Sequence, residues 1–232
     1  MTQFPITFAH RGARLVHAEN TIDAFRHALE CGARGLETDA WLSGDGEVVL
    51  VHDSTVRRFL RRLHVDRASA ERLSRWGVPR LVDLYDALGC DFELSIDLKD
   101  DRVGSAILDL AGERGCLDRT WLCSPSRRQI RPLRDVSAAV KLVHSTWKDR
   151  IRRSIERHAA ELADASIDAM NLHHSEWTAG LVALFHRFGV RAFAWDVQEV
   201  RQLRAMLEIG IDGVYCDHVE RMVATVAEWT KR

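Results

Sequence analysis

Short apolar runs alternate with helix-patterned segments eight times along this chain, and few folds accept that order. Candidate strands cover residues 6–9, 35–42, 92–98, 120–123, 139–144, 168–172, 190–195 and 213–216. A further short run at 48–51 is positioned to pair with the second of them. Between strands the apolar period shifts from that of a strand to that of a helix. Ile22, Phe25, Ala28 and Leu29 share one helical face that stops at Gly32. Trp177, Leu181, Leu184, Phe185 and Phe188 share a second, stopped by Gly189, and Val200, Leu203, Met206 and Leu207 a third, stopped by Gly210. Eight such units predict an α/β fold, a closed (β/α)8 TIM barrel. An open doubly wound sheet is the rival, but it opens with a Gly-rich first turn, and His10-Arg11-Gly12-Ala13 is not one. The arginine-rich stretch 54–79 breaks the alternation and reads as a short, cap-like excursion after the second strand. The 232 residues suit one such barrel domain spanning 1–232.

Charge and composition narrow the function classes. Lys and Arg number 33 against 34 Asp and Glu, so the chain lacks the basic excess of a bulk nucleic-acid binder. A local basic patch, Arg57, Arg58, Arg61 and Arg62, stands apart from that balance. No apolar run reaches the ~18 residues of a membrane span, and no amphipathic stretch reads as a stable membrane anchor. The first ten residues are too short and too soon charged for a secretory signal. Five scattered cysteines without a Cys-x-x-Cys pair read as free thiols in a reducing, cytoplasmic setting.

Residues able to carry chemistry gather where predicted strands end, which is where parallel barrels keep their active sites. Glu37 and Asp39 are two apart on a strand and point to one side of it. Two such anions repel unless a cation lies between them, and a hard divalent ion, Mg²⁺ or Ca²⁺, suits oxygen ligands. A solvated acidic strand end or an ion pair with arginine is the plainer alternative. Asp97 and Lys99 repeat the spacing one unit later. Asp97 is a candidate third oxygen ligand, and Lys99 either a phosphate-facing charge or an ion-pair partner. His10 and His52 each close an apolar run, and a pair of histidines can divide proton removal from proton donation. Arg11 can grip two phosphate oxygens at once. Trp195 either walls the pocket or packs the barrel. The set points to metal-assisted attack on a phosphate ester.

Ala9-His10-Arg11-Gly12, Glu19-Asn20-Thr21 with Phe25 and Ala28, Gly32-Ala33, Glu37-x-Asp39 and Val51-His52-Asp53 together resemble the glycerophosphodiester phosphodiesterase family. Ser95-Ile96-Asp97-Leu98-Lys99, Trp195-Asp196-Val197-Gln198 and the segment 210–217, ending Tyr215-Cys216-Asp217, extend the likeness over nearly the whole chain. The resemblance implies a (β/α)8 barrel that hydrolyses a small-molecule glycerophosphodiester to glycerol 3-phosphate and an alcohol with a divalent metal. It implies His10 and His52 as the acid/base pair, Glu37, Asp39 and Asp97 as metal ligands, and Arg11 and Lys99 as phosphate-facing cations. It also implies the glycerol 2-hydroxyl as the attacking group, giving a cyclic phosphate that water opens. Ala18 stands where the family carries proline, Asp97 where it carries glutamate, and Asp196 and Gln198 where it carries threonine and asparagine. The excursion is shorter than the family's pocket cap, and its basic stretch would favour an anionic leaving group. Lysophospholipase D-like hydrolysis of lysophospholipids and a non-catalytic phosphodiester-binding barrel are the alternative functions; nuclease action is opposed by the charge balance.

Overall fold

The structure, a computed structural model, describes residues 5–231. Eleven strands occur among them: β1 Ile6–His10, β2 Gly35–Leu42, β3 Val48–Leu50, β4 Thr55–Arg58, β5 Arg61–His64, β6 Glu93–Leu98, β7 Thr120–Ser124, β8 Lys141–Ser145, β9 Ala169–His173, β10 Arg191–Trp195 and β11 Gly213–Cys216. Helices follow them as α1 Ile22–Glu30, α2 Ala70–Ser74, α3 Leu81–Leu88, α4 Val103–Glu113, α5 Arg127–Val136, α6 Ile155–Asp164, α7 Ala179–Arg187, α8 Val200–Glu208 and α9 Val219–Trp229. Strands β1, β2 and β6 to β11 are parallel neighbours, and β1 pairs with both β2 and β11, which closes the barrel. The (β/α)8 expectation therefore holds.

Local departures have local causes. Strand β8 starts two residues later than its apolar run. The Arg134 guanidinium takes the carbonyls of Ala138 and Val140 at 2.8 and 2.7 Å, out of reach of the ladder. Trp177 belongs to the apolar stripe yet precedes α7. Thr178 caps that helix by accepting from Leu181 N, and the Trp177 ring packs edge-on against Phe185 from outside. Val200 begins α8 exposed, leaving Leu203, Met206 and Leu207 to face the core.

Alternation along β2 sets the two sides of the wall. Leu36, Ala40 and Leu42 join the large core between strands and helices. Gly35, Glu37 and Asp39 face inward. The lower interior is aromatic: Phe8, Trp121, Phe193 and Tyr215 pack together, with Phe8 and Tyr215 stacked at 4.7 Å. Two glycines make room for them. A Cβ on Gly35 would lie 2.7 Å from the Phe8 ring, and one on Gly213 equally close to Phe193. Above this floor Ser95 Oγ and the Tyr215 hydroxyl are hydrogen-bonded at 3.0 Å, which begins the polar layer.

The excursion after β2 folds as a unit of its own. Strand β3 turns back antiparallel on the end of β2, with Ala40 opposite Leu50. Strands β4 and β5 form an antiparallel hairpin in which Val56 faces Leu63. Leu63, Val65, Leu73 and Val78 close over Val49 in a small core separate from that of the barrel. The sequence lacked a hairpin signal because the turn, Phe59-Leu60, contains neither Asn nor Gly; Phe59 itself takes the left-handed conformation, φ 54°.

One buried pair gives the fold a pH dependence. His144 Nε2 donates to the Pro125 carbonyl at 3.2 Å, so its Nδ1 accepts, and His158 Nε2 donates to it at 3.2 Å. With one nitrogen donating and the other accepting, the His144 ring is neutral. Burial, then the neighbouring His158, pushes His144 down to about 4. Burial, then Arg127, does the same to His158. An unfolded imidazole titrates near about 6.5. Between these values the unfolded chain binds more protons than the folded one, so this contribution is complete above about pH 6.5 and lost as pH falls toward 4. Thermal melting between about pH 7 and 5 should show a falling midpoint. His144→Gln with His158→Gln should flatten that fall, and an equally steep fall in the double variant would remove the pair as its cause.

Candidate active site

Strand register builds the site. His10 lies opposite Glu37 across β1 and β2, and Asp39 opposite Asp97 across β2 and β6. Four ionisable side chains thus meet at the rim without any loop having to place them. One oxygen from each of Glu37, Asp39 and Asp97 lies within 4.8 Å of the others. Glu37 and Asp39 are buried, while 37% of the Asp97 side chain meets solvent at the base of an open cavity of about 450 Å³.

The turn after β1 supplies the counter-charges. Arg11 takes a left-handed backbone, φ 55°, which aims its N–H at Glu37 Oε2, 2.9 Å away. Gly12 follows at φ 76°, and a Cβ there would meet Ala24 of α1 at 2.8 Å, so glycine is required. Arg11 Nε reaches Asp39 Oδ2 at 3.2 Å, and its Nη1 donates to Glu19 at 2.9 Å. The second Glu19 oxygen holds Arg14 at 2.9 Å. Asn20, also left-handed, donates to Asp39 Oδ2 at 3.1 Å and accepts from Thr38 Oγ1 at 2.7 Å. Thr21 caps α1. Within Glu19-Asn20-Thr21, then, the first residue holds two arginines, the second holds a carboxylate, and the third starts a helix. Lys99 Nζ bridges Asp39 at 2.9 Å and Asp97 at 3.2 Å.

These distances set the electrostatics. Burial alone would raise the Asp39 pKa, but Lys99 and Arg11 outweigh it and hold the carboxyl below the usual range. Glu37 is pushed up to about 8, by burial first, with Asp39 and Asp97 adding to it against His10 and the Arg11 N–H. Asp97 is raised as well, by the surrounding protein and by Asp39, despite Lys99. Three oxygens, one of them poorly compensated, converge on one point. That donor set fits a hard divalent cation, and these residues could hold one.

His10 Nδ1 donates to Asp217 Oδ1 at 2.6 Å, which turns Nε2 toward Glu37 Oε2, 3.8 Å off. Burial would lower the His10 pKa, but Glu37 and then the Asp217 bond outweigh it and raise it. Sequence alone gives no role to Arg14 or to Asp217, one residue past β11; the signal for Asp217 is its place at the end of the eighth barrel strand. The far wall is Ser145, Asn171, Trp195, Asp196 and Gln198. Trp195 meets Trp147 and His173 edge-on, each at 4.7 Å. Asn171 is buried, donates to Ser145 Oγ at 3.1 Å, and leaves its carbonyl oxygen without a partner. His52 stands beside the cavity rather than in its lining, with Nδ1 2.8 Å from Asp53 Oδ1. Its backbone is nevertheless at the rim, since Val51 N donates to the Asp39 carbonyl at 2.9 Å. Arg57, Arg58, Arg61 and Arg62 do not line the cavity.

A closed parallel barrel thus carries an Asp–His pair, three convergent carboxylates and their counter-cations at its C-terminal rim, the end where (β/α)8 enzymes keep their active sites. The sequence profile of the glycerophosphoryl diester phosphodiesterase family matches residues 10–86. A glycerophosphodiester phosphodiesterase of Caldanaerobacter subterraneus is 24% identical over 250 residues, covering 95% of this chain and 97% of that one. The crystal structure of a glycerophosphodiester phosphodiesterase from Thermotoga maritima superposes with a TM-score of 0.83 at 24% identity, covering 95% and 97% of the two chains. A phosphodiesterase of Oleispira antarctica, solved with its product sn-glycerol-3-phosphate, matches the fold with a TM-score of 0.83 at 16% identity and 97% coverage of each. Residues 10–86 thus carry the sequence pattern of the glycerophosphoryl diester phosphodiesterase family, and the whole chain is similar in sequence and fold to its members. Among the described residues, no helix is long and apolar enough to cross a membrane.

Asn20→Ala leaves Thr38 Oγ1 and Asp39 Oδ2 each short of a buried partner. It should lower unfolding free energy by about 1–3 kcal/mol in urea titration. An unchanged midpoint would mean that Asn20 is not what holds Asp39.

Proposed function

We propose that the chain hydrolyses glycerophosphodiesters to glycerol 3-phosphate and an alcohol, with Mg²⁺ or Ca²⁺ held by Glu37, Asp39 and Asp97. The observation that carries this reading is the convergence of the three carboxylate oxygens within 4.8 Å beside His10, whose Nδ1 is already committed to Asp217. A bound divalent ion would offset charge on the phosphoryl group and lower the pKa of a nearby hydroxyl. Arg11 and Lys99 face the charge that builds on the phosphoryl oxygens. His10, its Nδ1–H fixed, has Nε2 free to take or give one proton at the reacting centre. His52, at the neighbouring rim, has the complementary role. The glycerol 2-hydroxyl oxygen forms a bond to phosphorus and loses its proton to one histidine. The bond to the alcohol oxygen breaks, and that oxygen takes a proton from the other. Water then opens the cyclic phosphate.

The far wall supports a glycerol end. Asn171 and Trp195 both line it, and Trp195 gives a flat apolar face. The five cysteines, all free, support the reducing, cytoplasmic setting.

Purified protein incubated with glycerophosphocholine or glycerophosphoethanolamine should release glycerol 3-phosphate with Mg²⁺ or Ca²⁺ and none with EDTA. His10→Ala and His52→Ala should each lower kcat by about 10²–10⁴-fold while melting as the parent does. Metal and ligand binding without release would replace this reading with that of a binding barrel. Full activity in both histidine variants would refute the assignment of the pair.

A further inference from the structure

We propose that the tip of the β4–β5 hairpin is an interfacial anchor that docks the protein reversibly on an anionic lipid surface. Phe59 and Leu60 at the turn are 97% and 103% exposed, the two most solvated large apolar side chains among the described residues. They are not surplus core. The hairpin packs through Val56 and Leu63, and its outer end projects beyond that contact. On a protein that meets only water, two adjacent large apolar groups at a convex tip are a liability.

The flanking charges name the occupant. Arg57 lies directly opposite Arg62, and Arg58 opposite Arg61. Like charges paired across strands destabilise a hairpin, so this register sets four guanidiniums against one another around the apolar pair. None of the four meets a carboxylate among the described residues; Arg58 donates only to the Arg75 carbonyl, at 3.3 Å. The whole chain carries a formal charge of −1, yet residues 55–64 contain four arginines and no acid. An anionic bilayer relieves both features at once. Lipid phosphates accept from the guanidiniums while Phe59 and Leu60 enter the acyl boundary. A nucleic-acid backbone would answer the charge and leave Leu60 in water.

The position of the hairpin gives the contact a consequence. It leaves the barrel directly after His52-Asp53, at the rim of the cavity. Leu15, Val16 and Trp147, also exposed, sit on loops following β1 and β8 at the same end of the barrel. Docking by the tip sets the cavity mouth near the lipid. The contact does not depend on the hydrolytic reading and is tested by binding alone.

The full chain should co-sediment with vesicles of phosphatidylcholine containing about one third phosphatidylglycerol, and not with phosphatidylcholine alone. Added salt should release it. Phe59→Ser with Leu60→Ser should weaken partition by about tenfold or more. Replacing the four arginines by Gln should abolish it. Both variants should keep the parent melting curve. Failure to bind anionic vesicles would overturn the proposal, as would equal binding by the Phe59/Leu60 variant. So would DNA binding that the arginine variant loses, in the absence of vesicle binding.

Discussion

Asp39 is a carboxylate with almost no solvent, and a charge so placed survives folding only with partners. It has three, drawn from three segments: Arg11 after β1, Asn20 before α1, and Lys99 after β6. The same partners act on their neighbours. Arg11 gives its backbone N–H to Glu37, and Lys99 reaches on to Asp97. Satisfying one buried charge therefore arranges the rim of three barrel units. The compensation is incomplete. Glu19, Glu37, Asp39, Asp97 and Asp217 face only Arg11, Arg14 and Lys99 as fixed cations. The remaining strain shows in Glu37, whose pKa is pushed up to about 8 by burial and by its acidic neighbours, and three carboxylate oxygens are left close together where a cation could sit.

The barrel beneath makes this arrangement rigid. Phe8 and Phe193 fill the interior only because Gly35 and Gly213 lack a Cβ, and each glycine sits on a strand beside the ring it admits. The floor fixes the height at which polar side chains begin. Ser95 and Tyr215 form the boundary; Glu37 lies opposite Ser95 in the β2–β6 register, and Asp97 stands two residues further along β6, opposite Asp39. Side-chain alternation then decides what faces the cavity. A slip of one residue in the β2–β6 register would send Glu37 and Asp39 into the apolar layer against the helices. Stability of the hydrophobic shell and position of the carboxylates are thus the same constraint.

What the sequence disclosed follows from that constraint. Strand periodicity revealed eight units and put Glu37, Asp39 and Asp97 on inward faces, because alternation is a local property of the chain. Partnership across the barrel is not local. Asp217 lies 207 residues from His10, and nothing near it marks it as the acceptor for that ring. The unpartnered carbonyl of Asn171 is equally silent in sequence, since its meaning depends on what Ser145 does not satisfy. The left-handed turn at Arg11 is hidden for a different reason. Arginine has no preference for that conformation, and only Gly12 beside it hints at a sharp bend. The β4–β5 hairpin was hidden by composition, because four arginines around Phe59-Leu60 look like solvated loop until Val56 and Leu63 are seen to share a core.

That separate core also divides the chain's labour. The excursion meets the barrel through Val49, Val51 and Trp41, whose indole N–H donates to the His52 carbonyl at 3.2 Å. Its inner face is therefore tied to the rim, while its tip shares no packing with the cavity. Substitutions at Phe59 or Leu60 touch neither the carboxylate cluster nor the aromatic floor, and sites so far apart combine almost additively. Substitutions at Trp41 or Val49 act on both, because they bear on the backbone that carries His52. The tip is free to vary with whatever surface the protein meets. The base is not, since β3 pairs with the end of β2, the strand that holds both Glu37 and Asp39.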